Sequence, residues 1–143
     1  MLFRSDTFDE DEAVRRTREH DADAIADVLL NQRVVAGIGN VYKSEVLFLC
    51  RVNPFTAARD VNDERVRDLF RTARRLLQAN VTTLGGITTY LGFARGRGRD
   101  ESQRRYVYGR ARKPCRRCST AIHVRAQGPH ARLTYWCPQC QGL

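Results

Sequence analysis

Cys115-Arg-Arg-Cys118 and Cys137-Pro-Gln-Cys140 constrain this chain more than any other feature in it. Eighteen residues separate the two pairs. Each C-x-x-C makes a tight turn that aims two sulfurs at one point. Two such turns at this separation fit four thiolates closing a tetrahedron around one zinc ion. The chain between them must return to its start, and a hairpin does this. Ile122, Val124 and Ala126 alternate with His123 and Arg125, Gly128-Pro129 supplies a turn, and Arg132 to Trp136 runs back as the second strand. So short a segment buries little core, so metal binding is expected to supply most of its folding free energy. A disulfide pair and a thioredoxin-type C-x-x-C are the rival readings. The redox motif, however, stands alone beside a βαβ unit, and no such unit is evident. With four cysteines completing the metal shell, His123 and His130 read as hairpin surface residues. Cys50 is left odd, which suits a small core residue in a reducing compartment.

The length, 143 residues, allows one ordinary domain or two small ones. A formal net charge of +9 points to an anionic partner. Of 25 basic residues only Lys43 and Lys113 are lysines. The planar arginine fork bonds phosphate bidentately, which favours nucleic acid. A GC-rich genome would give the same ratio, but it does not explain where the charge lies. Residues 1–24 hold four bases and eight acids, whereas residues 95–132 hold twelve bases and two acids. A phosphate-binding surface carries so one-sided a run more often than a merely solvated face does. No apolar run is long enough to span a bilayer, and the N-terminus does not read as a signal peptide. The expected location is the cytoplasm, at the nucleoid, with no membrane partner.

Met1 to Thr7 reads as a lead-in. A helix opens near Asp9 with acids in its first turn, where they complement the dipole, and His20 falls near its end as a surface residue. A second helical pattern begins at Asp23 and runs to about Arg33 through Ile25, Val28 and Leu29. Gly37 and Gly39 then permit positive φ or close backbone approach. Asn40 is placed to cap a helix of about Val41 to Cys50, with Glu45 inside it, and Asn53-Pro54 ends that helix. A glycine turn feeding a helix N-terminus is an anion site, and equally an ordinary helix-to-helix turn. Val61 to Asn80 is the clearest helix, capped by Asn62, with one apolar stripe of Val66, Leu69, Phe70, Ala73, Leu76 and Leu77. Residues 82–89 break the pattern at Gly85-Gly86, and residues 92–102 read as a mobile Gly/Arg-rich loop bordering the nucleic acid. The fold class is therefore mainly α: a small helical bundle followed by a four-cysteine β-hairpin finger. The expected division is a helical domain at 1–92, a basic loop at 93–106 and the finger at 107–143.

Two stretches together carry a resemblance. Asn31-Gln-Arg-Val-Val-Ala-Gly-Ile-Gly-Asn-Val-Tyr-Lys-Ser-Glu-Val-Leu-Phe48 resembles the helix–two-turn–helix motif of the formamidopyrimidine-DNA glycosylase and endonuclease VIII family. Val107-Tyr-Gly-Arg110 before Cys115, with Thr134-Tyr-Trp-Cys-Pro-Gln-Cys-Gln141 after it, resembles that family's C-terminal zinc finger. The resemblance implies base excision repair of oxidised bases, one structural zinc, and a duplex partner with a damaged base or abasic site. It makes Asn40 the phosphate-bonding asparagine of the turn and Arg132 the hairpin arginine that clamps phosphates flanking a flipped nucleotide. Gly37, Gly39, Lys43 and Arg110 are the further DNA contacts expected from the matching motifs.

Two departures accompany it. Family enzymes begin with Pro-Glu on an N-terminal β-sandwich domain, whose proline amine attacks the sugar. This chain opens Met1-Leu2-Phe3-Arg4, so no catalytic residue is expected within it. The chain would then be a truncated gene product or a fragment whose catalytic half is encoded upstream, or the partner of a separately encoded N-terminal catalytic half. Where oxidised-purine members carry a lysine ahead of the turn, this chain has Ala26 or Asp27, which leans toward the endonuclease VIII branch and oxidised pyrimidines. The competing readings are a free-standing, non-catalytic DNA-binding module and, ranked below it, a zinc-ribbon RNA-binding protein.

Overall fold

A computed structural model describes residues 8–80, 89–90 and 104–142. The lead-in at 1–7, the glycine break at 82–88 and the Gly/Arg-rich loop at 92–102 lie outside the described residues. The element order is α1 (Glu10–Arg18), α2 (Ile25–Leu30), α3 (Asn40–Leu49), a 3-10 turn (Ala58–Asp60), α4 (Asp63–Asn80), β1 (His123–Gln127), β2 (Arg132–Trp136) and α5 (Pro138–Gln141). No described helix is long and apolar enough to cross a membrane.

The helices start where capping chemistry allows. Asp9 Oδ1 accepts the amides of Asp11 and Glu12 at 3.0 and 3.2 Å, satisfying two donors at the start of α1. Asn62 Oδ1 accepts the Arg65 amide at 2.9 Å and opens α4. The α4 stripe buries Val66, Leu69, Phe70, Ala73 and Leu77 against α1 and α3. The acidic N-terminal stretch is matched here too: Arg71 reaches Glu10 at 2.6 Å, and Arg67 reaches Asp11 at 2.8 Å. These arginines tie α4 to α1.

The second helix is shorter than its periodicity suggests. Its expected span, Asp23 to Arg33, contracts to Ile25–Leu30. Ala24 is held extended by a β-bridge to Ala57, and Asn31 leaves the helix at ψ 107°. The chain then turns back so that Val34, Val35 and Ile38 enter the core. Gly37 carries φ +118°, a conformation that a side chain strongly disfavours. The next helix differs from expectation by one residue: Gly39 is the cap position and Asn40 the first helical residue. The Asn40 side chain does not cap; it reaches across to β2.

Beyond residue 104 a second cluster forms from Phe48, Val107, Cys115, Ile122 and Cys137. Phe48 belongs to α3, so the finger and the helical part share a wall. β1 and β2 pair antiparallel with His123 opposite Trp136 and Gln127 opposite Arg132. The hairpin has little core of its own, since β1 buries nothing and Val124 is 41% exposed. It is instead held edge-on by α3. Gly128, in the turn between the strands, sits at φ +78°, where a Cβ would fall on the Asp27 carboxylate.

Candidate nucleic-acid interface and metal centre

The four expected cysteine ligands converge. The sulfurs of Cys115, Cys118, Cys137 and Cys140 all lie within 4.8 Å of one another. Cys115 and Cys140 stand 3.9 Å apart, and Cys118 and Cys137 3.4 Å. Tetrahedral sulfurs at Zn–S bonds of about 2.3 Å would be separated by about 3.8 Å. The spacing therefore fits a tetrahedral thiolate site, and four soft donors suit zinc among the common ions. Backbone geometry prepares the second pair: Pro138 starts α5, and the Cys137 sulfur accepts the Cys140 amide at 3.4 Å. Crowding spreads the acidities of the thiols. Hydrogen bonds from Thr120 hold Cys118 down at about 6, while burial and then the neighbouring sulfurs push Cys140 up to about 12. Four thiols this close ionise together only beside a cation.

Asn40 and Arg132 line one groove of about 530 Å³, together with Gly37, Gly39 and His130. The floor is the start of α3. That start carries no acid and no side-chain cap, unlike α1 and α4. Its first amides therefore face the groove at the positive end of the dipole. A Cβ at Gly39 would meet nothing within 4 Å, so the approach is open. Asn40 Nδ2 donates to the Leu133 carbonyl at 3.0 Å and lies 3.4 Å from the Tyr108 hydroxyl. Its shorter bond is to the residue that follows Arg132. The groove continues into a space of about 610 Å³ lined by Asp23, Asp27, Gln127 and Arg132. Of the two candidates ahead of the turn, Ala26 is fully buried and Asp27 faces this space. Burial raises the Asp27 carboxyl above its ordinary value, with Lys43 opposing.

Two expected DNA contacts lie elsewhere. Lys43 is 1% exposed, and its Nζ donates to Leu133 O at 3.1 Å and Thr134 Oγ1 at 2.9 Å. Arg110 is buried, with its guanidinium on the carbonyls of Tyr106 and Pro114 at 2.7 and 2.9 Å. In this structure both side chains are enclosed and brace the protein internally. Two other arginines of the basic run lie against the protein's own aromatic rings. Arg117 lies 4.5 Å over Phe48 and donates to its carbonyl at 3.2 Å, and Arg116 lies 4.0 Å over Tyr90. A charge count along the chain overstates how many of these reach a partner.

Glu45 is the residue that sequence reasoning missed. It is fully buried on α3. Its Oε2 accepts the amides of Val107 and Tyr108 at 2.8 and 3.0 Å, and its Oε1 accepts the Tyr106 amide at 2.7 Å and the Thr89 hydroxyl. One carboxylate thus anchors the whole approach to the finger. The available signal was an acid embedded in the apolar run Val46-Leu47-Phe48, without a lysine or arginine at helical spacing to pair it.

Fold and site together define a helix–two-turn–helix domain with an attached four-cysteine finger. The profile of the "Formamidopyrimidine-DNA glycosylase H2TH domain" matches residues 3–91, and the chain belongs to the formamidopyrimidine-DNA glycosylase/endonuclease 8 family. It is 41% identical over 136 residues to "Probable endonuclease 8 2" of Streptomyces coelicolor, covering 94% of this chain and 46% of that protein. It is 39% identical over 118 residues to the "Formamidopyrimidine-DNA glycosylase" of Thermus thermophilus, covering 80% and 43%. Among solved structures, the MutM (Fpg) protein of Thermus thermophilus aligns with a TM-score of 0.79 at 32% identity, over 99% of this chain and 53% of that one. A Lactococcus lactis Fpg in complex with abasic-site DNA aligns at 0.77 and 27% identity, over 99% and 51%. The chain spans about half the length of the relatives it matches.

Proposed function

We propose that this chain is the DNA-binding half of a base-excision-repair glycosylase/lyase, gripping the backbone of duplex DNA beside an oxidised base or abasic site. The observation that carries it is the shared groove: the uncapped start of α3 with Asn40 on one wall and Arg132 on the other. Arg132 supplies a planar fork to a phosphate, and the uncapped α3 amides supply the opposing donors, with Asn40 fixing the start of α3 against β2. Two clamps on one strand stabilise a backbone bent around an extruded nucleotide. One zinc ion on Cys115, Cys118, Cys137 and Cys140 would brace the strand that bears Arg132, so that its aim is fixed by metal chemistry.

The excision chemistry is assigned to residues outside this groove. Neither lysine is aimed into the groove, since Lys43 is enclosed and Lys113 stands in the finger. The carboxylate of Asp27 in the groove, where a lysine marks oxidised-purine members, favours oxidised pyrimidines as the lesion class. The test is binding of the metal-loaded chain to matched duplexes with and without an abasic-site analogue, followed by borohydride trapping on a natural abasic site. The expected result is preference for the abasic duplex, steep salt dependence and no covalent adduct. Equal affinity for both duplexes at fixed salt overturns the binding assignment. An adduct formed by this chain alone overturns the division of labour.

A further inference from the structure

Three polar side chains along one face of α3 grip the outer edge of β2. Asn40 takes the Leu133 carbonyl, Lys43 takes the same carbonyl and the Thr134 hydroxyl, and the Ser44 hydroxyl accepts the Tyr135 amide at 3.2 Å. Asn40, Lys43 and Ser44 fall at i, i+3 and i+4, the spacing that aligns side chains on a helix. The residue just before this ladder is Arg132.

Lys43 is the only cation among the three, and its bonds extend further. Thr134 accepts from Lys43, so its own proton points to Gln127 Oε1 at 2.6 Å. Gln127 Nε2 in turn donates to the Pro54 carbonyl at 3.1 Å. Gln127 is the cross-strand partner of Arg132. The strand position of Arg132 is therefore fixed from both sides, through Leu133 after it and Gln127 opposite it, and Lys43 feeds both connections. An ammonium this enclosed is costly to bury, so its place here implies a structural demand.

We propose that Lys43 is a positioning residue for the phosphate clamp: it holds β2 so that Arg132 keeps its aim into the groove, and it does not touch DNA itself. This rests on the reading of Arg132 as a phosphate contact. The charged groups facing Lys43 are Asp27 from α2 and Arg132 from β2, with Asp23 and His130 along the same groove. Burial, joined by the Arg132 charge and opposed by Asp27, lowers Lys43 to about 8. A phosphate clamped at Arg132 offsets that repulsion and favours the ammonium. Binding then takes up a proton above pH 8 and weakens as pH rises.

The test uses the full metal-loaded chain and a duplex carrying a tetrahydrofuran abasic analogue. Dissociation constants are measured at fixed salt for wild type, Lys43→Met, Arg132→Ala and the double variant, between pH 7 and 9.5. Lys43→Met is expected to weaken binding about tenfold and to flatten the pH profile. Its effect should vanish in the Arg132→Ala background, because there is no aim left to lose. An equal loss in both backgrounds would make Lys43 a direct contact and overturn the proposal, as would wild-type affinity in Lys43→Met. If Lys43→Met does not fold, Thr134→Val breaks the same connection while keeping the charge. It should weaken binding in the wild-type background and not in Arg132→Ala, and additive losses overturn the proposal equally. Should Arg132→Ala itself bind normally, the clamp reading fails first, and that outcome is distinct from a normal Lys43→Met beside a weakened Arg132→Ala.

Discussion

Glu45→Gln is the sharpest perturbation this structure offers. The carboxylate accepts four hydrogen bonds, from the amides of Tyr106, Val107 and Tyr108 and from the Thr89 hydroxyl. A glutamine oxygen can keep two of them. The least costly arrangement keeps Val107 and Tyr108 on that oxygen. The new NH2 then faces the Thr89 hydroxyl, which rotates to accept, and the Tyr106 amide, which cannot. One buried N–H is thereby orphaned, at about 1–3 kcal/mol, and the two retained bonds lose their charge assistance, at about 0.5–1 kcal/mol each. The expected loss is about 2–5 kcal/mol, a large share of the stability of a domain this size. The assay is denaturant unfolding of the metal-loaded chain at neutral pH. Glu64→Gln, an exposed change on α4, serves as the control and should leave the midpoint in place. A loss below about 1 kcal/mol would refute the view that this one carboxylate fastens the approach to the finger.

Asn40→Ala and Arg132→Ala should each weaken binding to abasic duplex by about 1–3 kcal/mol, measured by titration at fixed salt, and unchanged constants would remove them from the interface. Chelation of the metal should collapse the fluorescence of Trp136, which lies on the strand leading into Cys137, and zinc should restore it. Gly128→Ala places a side chain at φ +78° and against Asp27, and should cost about 1–2 kcal/mol in unfolding measurements. Lys43 has a folded pKa near 8, below its ordinary 10.5. Between those values the unfolded chain holds more protons, so the stability Lys43 contributes rises with pH. The unfolding midpoint of wild type should therefore gain on that of Lys43→Met between pH 7.5 and 9.5, and a constant difference would contradict the assigned burial.

The sequence showed what local chemistry controls. Cysteine spacing announced the convergence of the four sulfurs, because two tight turns and one return path leave few arrangements. The α4 stripe and its Asn62 cap were legible for the same reason: both are read within a few residues. The shared groove of Asn40 and Arg132 came from motif resemblance rather than from periodicity. The inward turn of Lys43, Arg110 and Glu45 was not legible. A charged side chain is buried only when distant backbone groups are arranged to receive it, and those groups lie about sixty to ninety residues away for Glu45 and Lys43. The same holds for Val124: alternation announced a strand, but not that its face would stay open.

The wall shared through Phe48 bears on how such a finger could be transplanted. A zinc ribbon that closes on itself can be cut at its linker and grafted onto another scaffold. This one borrows an aromatic ring, a lysine and a carboxylate from a helix sixty residues upstream. Any useful graft must therefore carry α3 along with the cysteines, and a chimaera joined at the linker would inherit a metal knot without a stable orientation.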